Sequence, residues 1–177
     1  MDHEPRQLLD EVLVVEAQDG NGAAWELLFR RWQRRLWRHA RRLLGREDTA
    51  WDACQDAWMA MLRGLPRLDD PAAFSGWAYR IVTHKCVDRL RVEKRHRDLW
   101  HDVAADYPTE DSSGTTHLEL KQALGQLSGP MQSVLVLRYV EGFTVNEMAA
   151  ILDVAEGTVK SRLHRARAEL KKLMEDR

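Results

Sequence analysis

Three observations predict an all-α fold of two small helical units joined by a flexible acidic linker. Apolar residues recur with helical periodicity over most of the 177 residues. Alternating, strand-like patterns are nearly absent. Between about Arg97 and Thr116 the periodicity gives way to DLWHDVAADYPTEDSSGTT, a polar stretch rich in Asp, Ser and Thr that reads as a linker. The implied boundaries are residues 1–96, 97–117 and 118–177.

In the first unit, a segment around Leu8 to Val15 precedes a helix marked by Trp25, Leu28, Phe29, Trp32, Leu36 and Leu43, with Gly45 as its stop. A second helix carries Trp51, Cys54, Trp58, Met61 and Leu65 on one face and Asp52, Gln55, Asp56 and Met59 on the other. A third begins at Asp70-Pro71, an N-cap followed by proline at the first helical position, and runs to about Lys94. In the second unit, Leu120, Leu124 and Leu127 lead to a break at SGP. A strongly apolar helix follows over Met131 to Val140, ended by Glu141-Gly142. Thr144-x-x-Glu147 is a capping box backed by Val145, Met148, Ala149 and Leu152. A short turn at Asp153 to Ala155 then opens the last helix.

Composition narrows the function classes. No apolar run approaches the roughly 18 residues of a membrane span, and the acidic start MDHEPRQLLDE has no signal-peptide core, so a cytoplasmic protein without direct membrane insertion is expected. Cys54 and Cys86 lie far apart without CxxC spacing, so neither a disulfide framework nor a structural zinc site is indicated. His84, Cys86, His96 and His101 match no standard zinc pattern, and His84 and Cys86 fall on different faces of one helix. No metal, cofactor or enzymatic chemistry is implied.

Charge is segregated although the net charge is only -1. Residues 1–29 hold seven acids against Arg6, residues 30–42 hold seven arginines and no acid, and residues 98–119 hold six acids and no Lys or Arg. In the last helix, Val159, Leu163, Ala166 and Leu170 form an apolar stripe, while Gly157, Ser161, His164, Arg165 and Ala168 face outward beside Lys160 and Arg167. A short helix, a tight turn and a second helix with a basic outer face make a helix-turn-helix. The bland alternative is a helical hairpin with a solvated charge run. Small residues on the outermost line allow close approach, and the neighbouring bases suit phosphates, which favours DNA.

These residues resemble a family. FTVNEMAAILDVAEGTVKSRLHRARAEL is similar to region 4 of the extracytoplasmic-function sigma factors, where an EIA helix precedes a GTVKSR…RAR…L helix. TAWDACQDAWMAML resembles the AEDLVQEVFL helix of region 2, and FSGWAYRIVTHKCVDRLR resembles the WLYRIARNLAIDYLR helix that follows it. The likeness covers about residues 10 to 175, in family order and with the acidic linker between.

The resemblance implies a non-enzymatic factor that joins core bacterial RNA polymerase and directs it to promoters. Its minus-35 contacts would fall on Lys160, Ser161, His164 and Arg165, with Thr158 beside them and Arg162 and Arg167 on phosphates. An ion pair with a neighbouring helix is the competing role for Arg162. Its minus-10 contacts would fall on Arg80, His84 and Arg91, which share a helix face with Asp88 and Arg95, and on a base pocket in the Pro66 to Ala73 loop containing Asp69 and Asp70. Trp77 suits the core better than a base stack. Asp52, Gln55, Asp56 and Met59 would meet the clamp helices of the polymerase largest subunit, and region 4 would meet the beta flap. Asp102, Asp106, Glu110 and Asp111 would thread the polymerase channel. An anti-sigma factor, often membrane-bound, is the expected regulator.

Four positions depart from the family pattern. His84 replaces Asn, Trp51 replaces Glu in exchange for packing, Ala155 replaces a capping Ser, and Asp153 replaces a turn Gly. The arginine run of residues 30–42 is expected to face away from the Trp and Leu stripe, toward DNA, polymerase or an acidic regulator. An autonomous helix-turn-helix regulator would account for residues 118–175 but leaves the second and third helices without a role.

Overall fold

The computed structural model describes residues 4–97 and 115–175. The linker carboxylates and the side chain of Arg95 lie outside the described part. Eight α-helices and two 3₁₀ turns are described: α1 Glu4–Gln18, α2 Gly22–Leu44, α3 Glu47–Gly64, turns at Leu65–Arg67 and Pro71–Ala73, α4 Phe74–Arg97, α5 Thr115–Gln126, α6 Gly129–Tyr139, α7 Val145–Leu152 and α8 Glu156–Glu175. No strand occurs among the described residues, and no described helix is long and apolar enough to cross a membrane.

Local chemistry sets the boundaries. Asn21 caps α2 by accepting from the Ala23 and Ala24 amides, and α2 stops where Gly45 takes φ 75°, a left-handed conformation that costs a residue with a Cβ. Asp70 accepts from the Ala72 amide, so the Asp-Pro start is present. Proline there opens a 3₁₀ turn that leads into α4 rather than the helix itself. The capping box at Thr144 and Glu147 is formed in both directions. Asp153 holds the helix-turn-helix turn at φ 53° and ψ 50°, which Asp tolerates better than most residues. The Ala155 carbonyl accepts from the Thr158 and Val159 amides at the start of α8.

The first unit packs α1, α3 and α4 around α2, with Leu28, Leu36, Met61, Phe74, Tyr79 and Val82 fully buried. Trp32 meets Phe74 and Tyr79 edge-on, with ring centroids 5.6 and 6.2 Å apart. In the second unit α6 is enclosed on several sides, which is why Ser133, Val134, Leu135, Val136 and Leu137 are buried in succession. The expected apolar run is interrupted at its end: Tyr139 and Val140 point outward, because the chain turns away there toward Phe143.

The two units share one apolar core. α6 packs on α2, α7 packs on α4, and Phe143 meets Tyr79 edge-on at 5.6 Å.

Two further expectations are corrected. Trp51 is 52% exposed rather than packed in the α3 stripe. At 100° per residue it lies on the margin of that stripe, beside Gln55, and its ring leans on Trp37 at 5.5 Å. The arginine run of α2 does not face wholly away from the Trp and Leu stripe. Arg31 pairs with buried Asp10 at 2.7 Å, Arg35 lies over the Trp32 ring at 5.2 Å, and Arg42 is half-buried near Tyr79 and Glu141.

Candidate nucleic-acid interface

The outer face of α8 is built by its inner one. Val159, Leu163 and Ala166 are buried, so Lys160, Ser161, His164 and Arg165 are turned outward and exposed. Glu156 lies 3.6 Å from Lys160 and accepts from Asn146 of α7, which ties the two helices at the turn. Thr158 is half-buried and its carbonyl accepts from the Ser161 hydroxyl. Arg167 is exposed and its Nε donates to the Leu163 carbonyl, so its guanidinium is held along the helix. Arg162 is half-buried and makes no ion pair among the described residues. Apart from Lys160, no cation on this face is matched to a carboxylate among the described residues, leaving a positive surface suited to a nucleic-acid groove.

On α4, Arg80 and Arg91 are exposed, while Asp88 pairs with Arg91 at 3.5 Å. His84 is half-buried and its Nε2 is enclosed without a hydrogen-bond partner among the described residues. Trp77 is half-buried against Phe74, consistent with a packing role. Asp69 and Asp70 are exposed in the preceding loop. A cleft of about 330 Å³ lies between that loop and α1, lined by Glu11, Val12, Val15, Glu16, Asp70, Pro71 and Ala72.

The outward face of α3 carries Asp52, Gln55, Asp56 and Met59, all exposed. Sequence reasoning missed the residue that organises it. Arg89 of α4 donates to Asp52 at 3.3 Å and to Asp56 at 2.8 Å. The i, i+4 spacing of the two acids was visible in sequence, but their shared partner is 33 residues away from the nearer one. Trp51, Met59 and Leu62, each about half exposed, complete an apolar margin along this face.

A model of Sigma-70 region 2 matches residues 28–96, and a model of Sigma-70 region 4 matches residues 117–170. The extracytoplasmic-function sigma factor SigM of Mycobacterium tuberculosis is 38% identical over 168 residues, covering 93% of this chain and 84% of the relative. The chain belongs to the extracytoplasmic-function sigma factor family. As an alternative sigma factor it directs transcription initiation, and sigma factors bind core RNA polymerase and promoter DNA. The sigma-E factor of Escherichia coli is 30% identical over 176 residues, covering 91% of this sigma factor and 92% of the relative. Among solved structures, CnrH in complex with the cytosolic domain of CnrY has a TM-score of 0.62 at 29% identity, covering 95% of this chain and 98% of that one. The sigma factor RpoE of Bartonella quintana, in complex with the anti-sigma factor NepR, shares the fold with a TM-score of 0.72 at 24% identity, covering 85% and 96%.

Proposed function

We infer that this sigma factor divides promoter reading between its two units. α8 enters the major groove of the minus-35 duplex, with Lys160, Ser161, His164 and Arg165 toward base edges and Thr158, Arg162 and Arg167 toward the backbone. The observation that carries this reading is the exposed, largely unpaired basic face of α8 above a fully buried apolar stripe. Arg165 is exposed and its guanidinium can make a bidentate contact to guanine, whereas Lys160 offers a point charge already shared with Glu156.

Arg80, His84 and Arg91 line the path of the melted minus-10 strand. The cleft beside Asp70 receives an unstacked base, and its carboxylate rim favours a base that presents an amino group. Asp52, Gln55, Asp56 and Met59 meet the clamp helices of core polymerase, with Asp52 and Asp56 held in position by Arg89. Trp51 belongs to the same surface as an aromatic anchor, since its exposed ring continues the apolar margin of Met59 and Leu62. Region 4 meets the beta flap. Regulation is by an anti-sigma factor, as the complexed state of the similar CnrH suggests. The factor works in the cytoplasm and is held near the membrane when that regulator is membrane-bound.

Run-off transcription with core polymerase on a promoter library tests the reading. Specific transcripts are expected only with the factor present. Arg165→Ala should weaken minus-35 recognition by roughly 1 to 3 kcal/mol while sparing core binding. Equal loss of both would remove α8 from its assigned role.

A further inference from the structure

We propose that Gln18 is a positioning residue for promoter reading, an inference that rests on the base-receiving cleft proposed above. Its side-chain amide fixes the loop of residues 65–73 against α1 and so sets the width of that cleft. Val12 and Val15 line the cleft from α1, while Pro71 and Ala72 line it from the loop. A cleft of this kind tells one base from another only if its two walls keep their spacing to within about 0.5 Å. The walls differ in how they are held. α1 is anchored along its length: Leu13 and Val14 are buried, and Asp10 pairs with Arg31 of α2 at 2.7 Å. The loop consists of two 3₁₀ turns, Leu65–Arg67 and Pro71–Ala73, with exposed Asp69 and Asp70 between them.

Gln18 ties the loop to the anchored wall. It is the last residue of α1 and is half-buried. Its Nε2 donates to the Leu65 carbonyl at 2.9 Å and to the Leu68 carbonyl at 2.8 Å. A primary amide carries two N–H groups on one nitrogen, so a single side chain closes on both carbonyls at once. Those carbonyls bracket the first 3₁₀ turn, because the Leu68 amide also donates to the Leu65 carbonyl at 3.0 Å. The Leu65 side chain is buried in the core and that of Leu68 packs against it. Asp69 and Asp70 then lead directly to Pro71, so a shift at Leu68 is passed to the loop wall of the cleft. The tie leaves no local motif, since its partners lie 47 and 50 residues from Gln18. α1 also precedes the segment matched to Sigma-70 region 2, residues 28–96. Gln18 thus acts on the base through Leu65 and Leu68, without touching it.

Gln18→Met keeps the length of the side chain and removes both donors, Gln18→Glu removes them with the shape kept, and Gln18→Lys restores donors on a stem of similar length. Core polymerase carrying each full-length variant is titrated with forked promoter DNA whose melted minus-10 strand bears each of the four bases in turn at each position. The readout is the ratio of affinities between the preferred base and the others, in which phosphate contacts and the amount of folded factor cancel. At the position of strongest discrimination, Gln18→Met and Gln18→Glu should lower that ratio roughly fivefold or more, and Gln18→Lys should recover most of it. Affinity for a minus-35 duplex should not change. An unchanged ratio, or an equal loss for all four bases, would overturn the inference, because a merely structural role weakens every promoter alike. Failure of the cleft reading appears separately: Val15→Trp, which fills the cleft from α1, would then leave the base profile of the wild type.

Discussion

At the residue scale, His39 shows how burial dictates protonation. Its Nε2 lies 2.9 Å from Thr83 Oγ1, and that hydroxyl donates its own proton to the Tyr79 carbonyl. The hydroxyl oxygen therefore accepts, Nε2 carries the proton, and Nδ1 is left buried without a partner. Burial, aided by nearby Arg42, lowers the pKa of His39 from 6.5 to about 3. The unfolded chain then binds more protons than the native one between those values. The contribution of His39 is complete above pH 6.5 and is lost as pH falls toward 3, with a slope of up to about 1.4 kcal/mol per pH unit. Denaturant melts between pH 4 and 7 should show that slope, and His39→Phe, which keeps an aromatic ring edge-on to Tyr79, should flatten it. An equal slope in the variant would assign the acid sensitivity to other groups. Cys54 and Cys86 follow the same logic: both are buried free thiols, and burial raises each to about 12, so neither presents a thiolate near neutral pH.

At the scale of elements, α7 is the pivot. It has only eight residues, too few to be stable alone, yet it packs on α4, α6 and α8. Its capping box is correspondingly important: the Glu147 carboxylate accepts from the Thr144 amide at 2.7 Å, and the Thr144 hydroxyl accepts from the Glu147 amide at 3.3 Å. Thr144→Ala should cost about 1 kcal/mol by thermal or chemical denaturation. A loss below about 0.3 kcal/mol would mean that packing alone holds the helix. The Arg89 bridge to Asp52 and Asp56 is a different kind of device. Both carboxylates are more than half exposed, so the bridge adds little stability and acts mainly to orient them.

At the scale of the whole molecule, the shared core makes the two units thermodynamically coupled. Burying Phe143 and Tyr79 against each other means that loss of one unit exposes apolar surface on the other. Unfolding of the wild-type factor should therefore be a single cooperative transition, whereas Gly129→Ala, which sets a methyl group against the Arg42 carbonyl oxygen, should separate it into two. Differential scanning calorimetry distinguishes these outcomes, and two transitions in the wild type would contradict the coupling.

Much of this was legible in the chain because it depends on neighbours in sequence. Helical spacing, the Gly45 stop and the capping box rest on contacts within a few residues and are present; the Asp70 cap is present too, but Asp70-Pro71 opens a 3₁₀ turn and the helix itself begins at Phe74. The outward turn of Lys160, Ser161, His164 and Arg165 follows from the apolar stripe behind them, so the candidate DNA face was readable as well. Sequence by itself thus determined the helices, their amphipathic faces and the family. Only the tertiary structure decided which long-range partners meet: Arg89 with Asp52 and Asp56, Gly129 with the Arg42 carbonyl, and Phe143 with Tyr79. It also decided that Trp51 leans outward on Trp37. The reason is physical. Periodicity specifies which side of a helix is apolar, but the packing of one helix against another specifies how much of that side is covered, and by what.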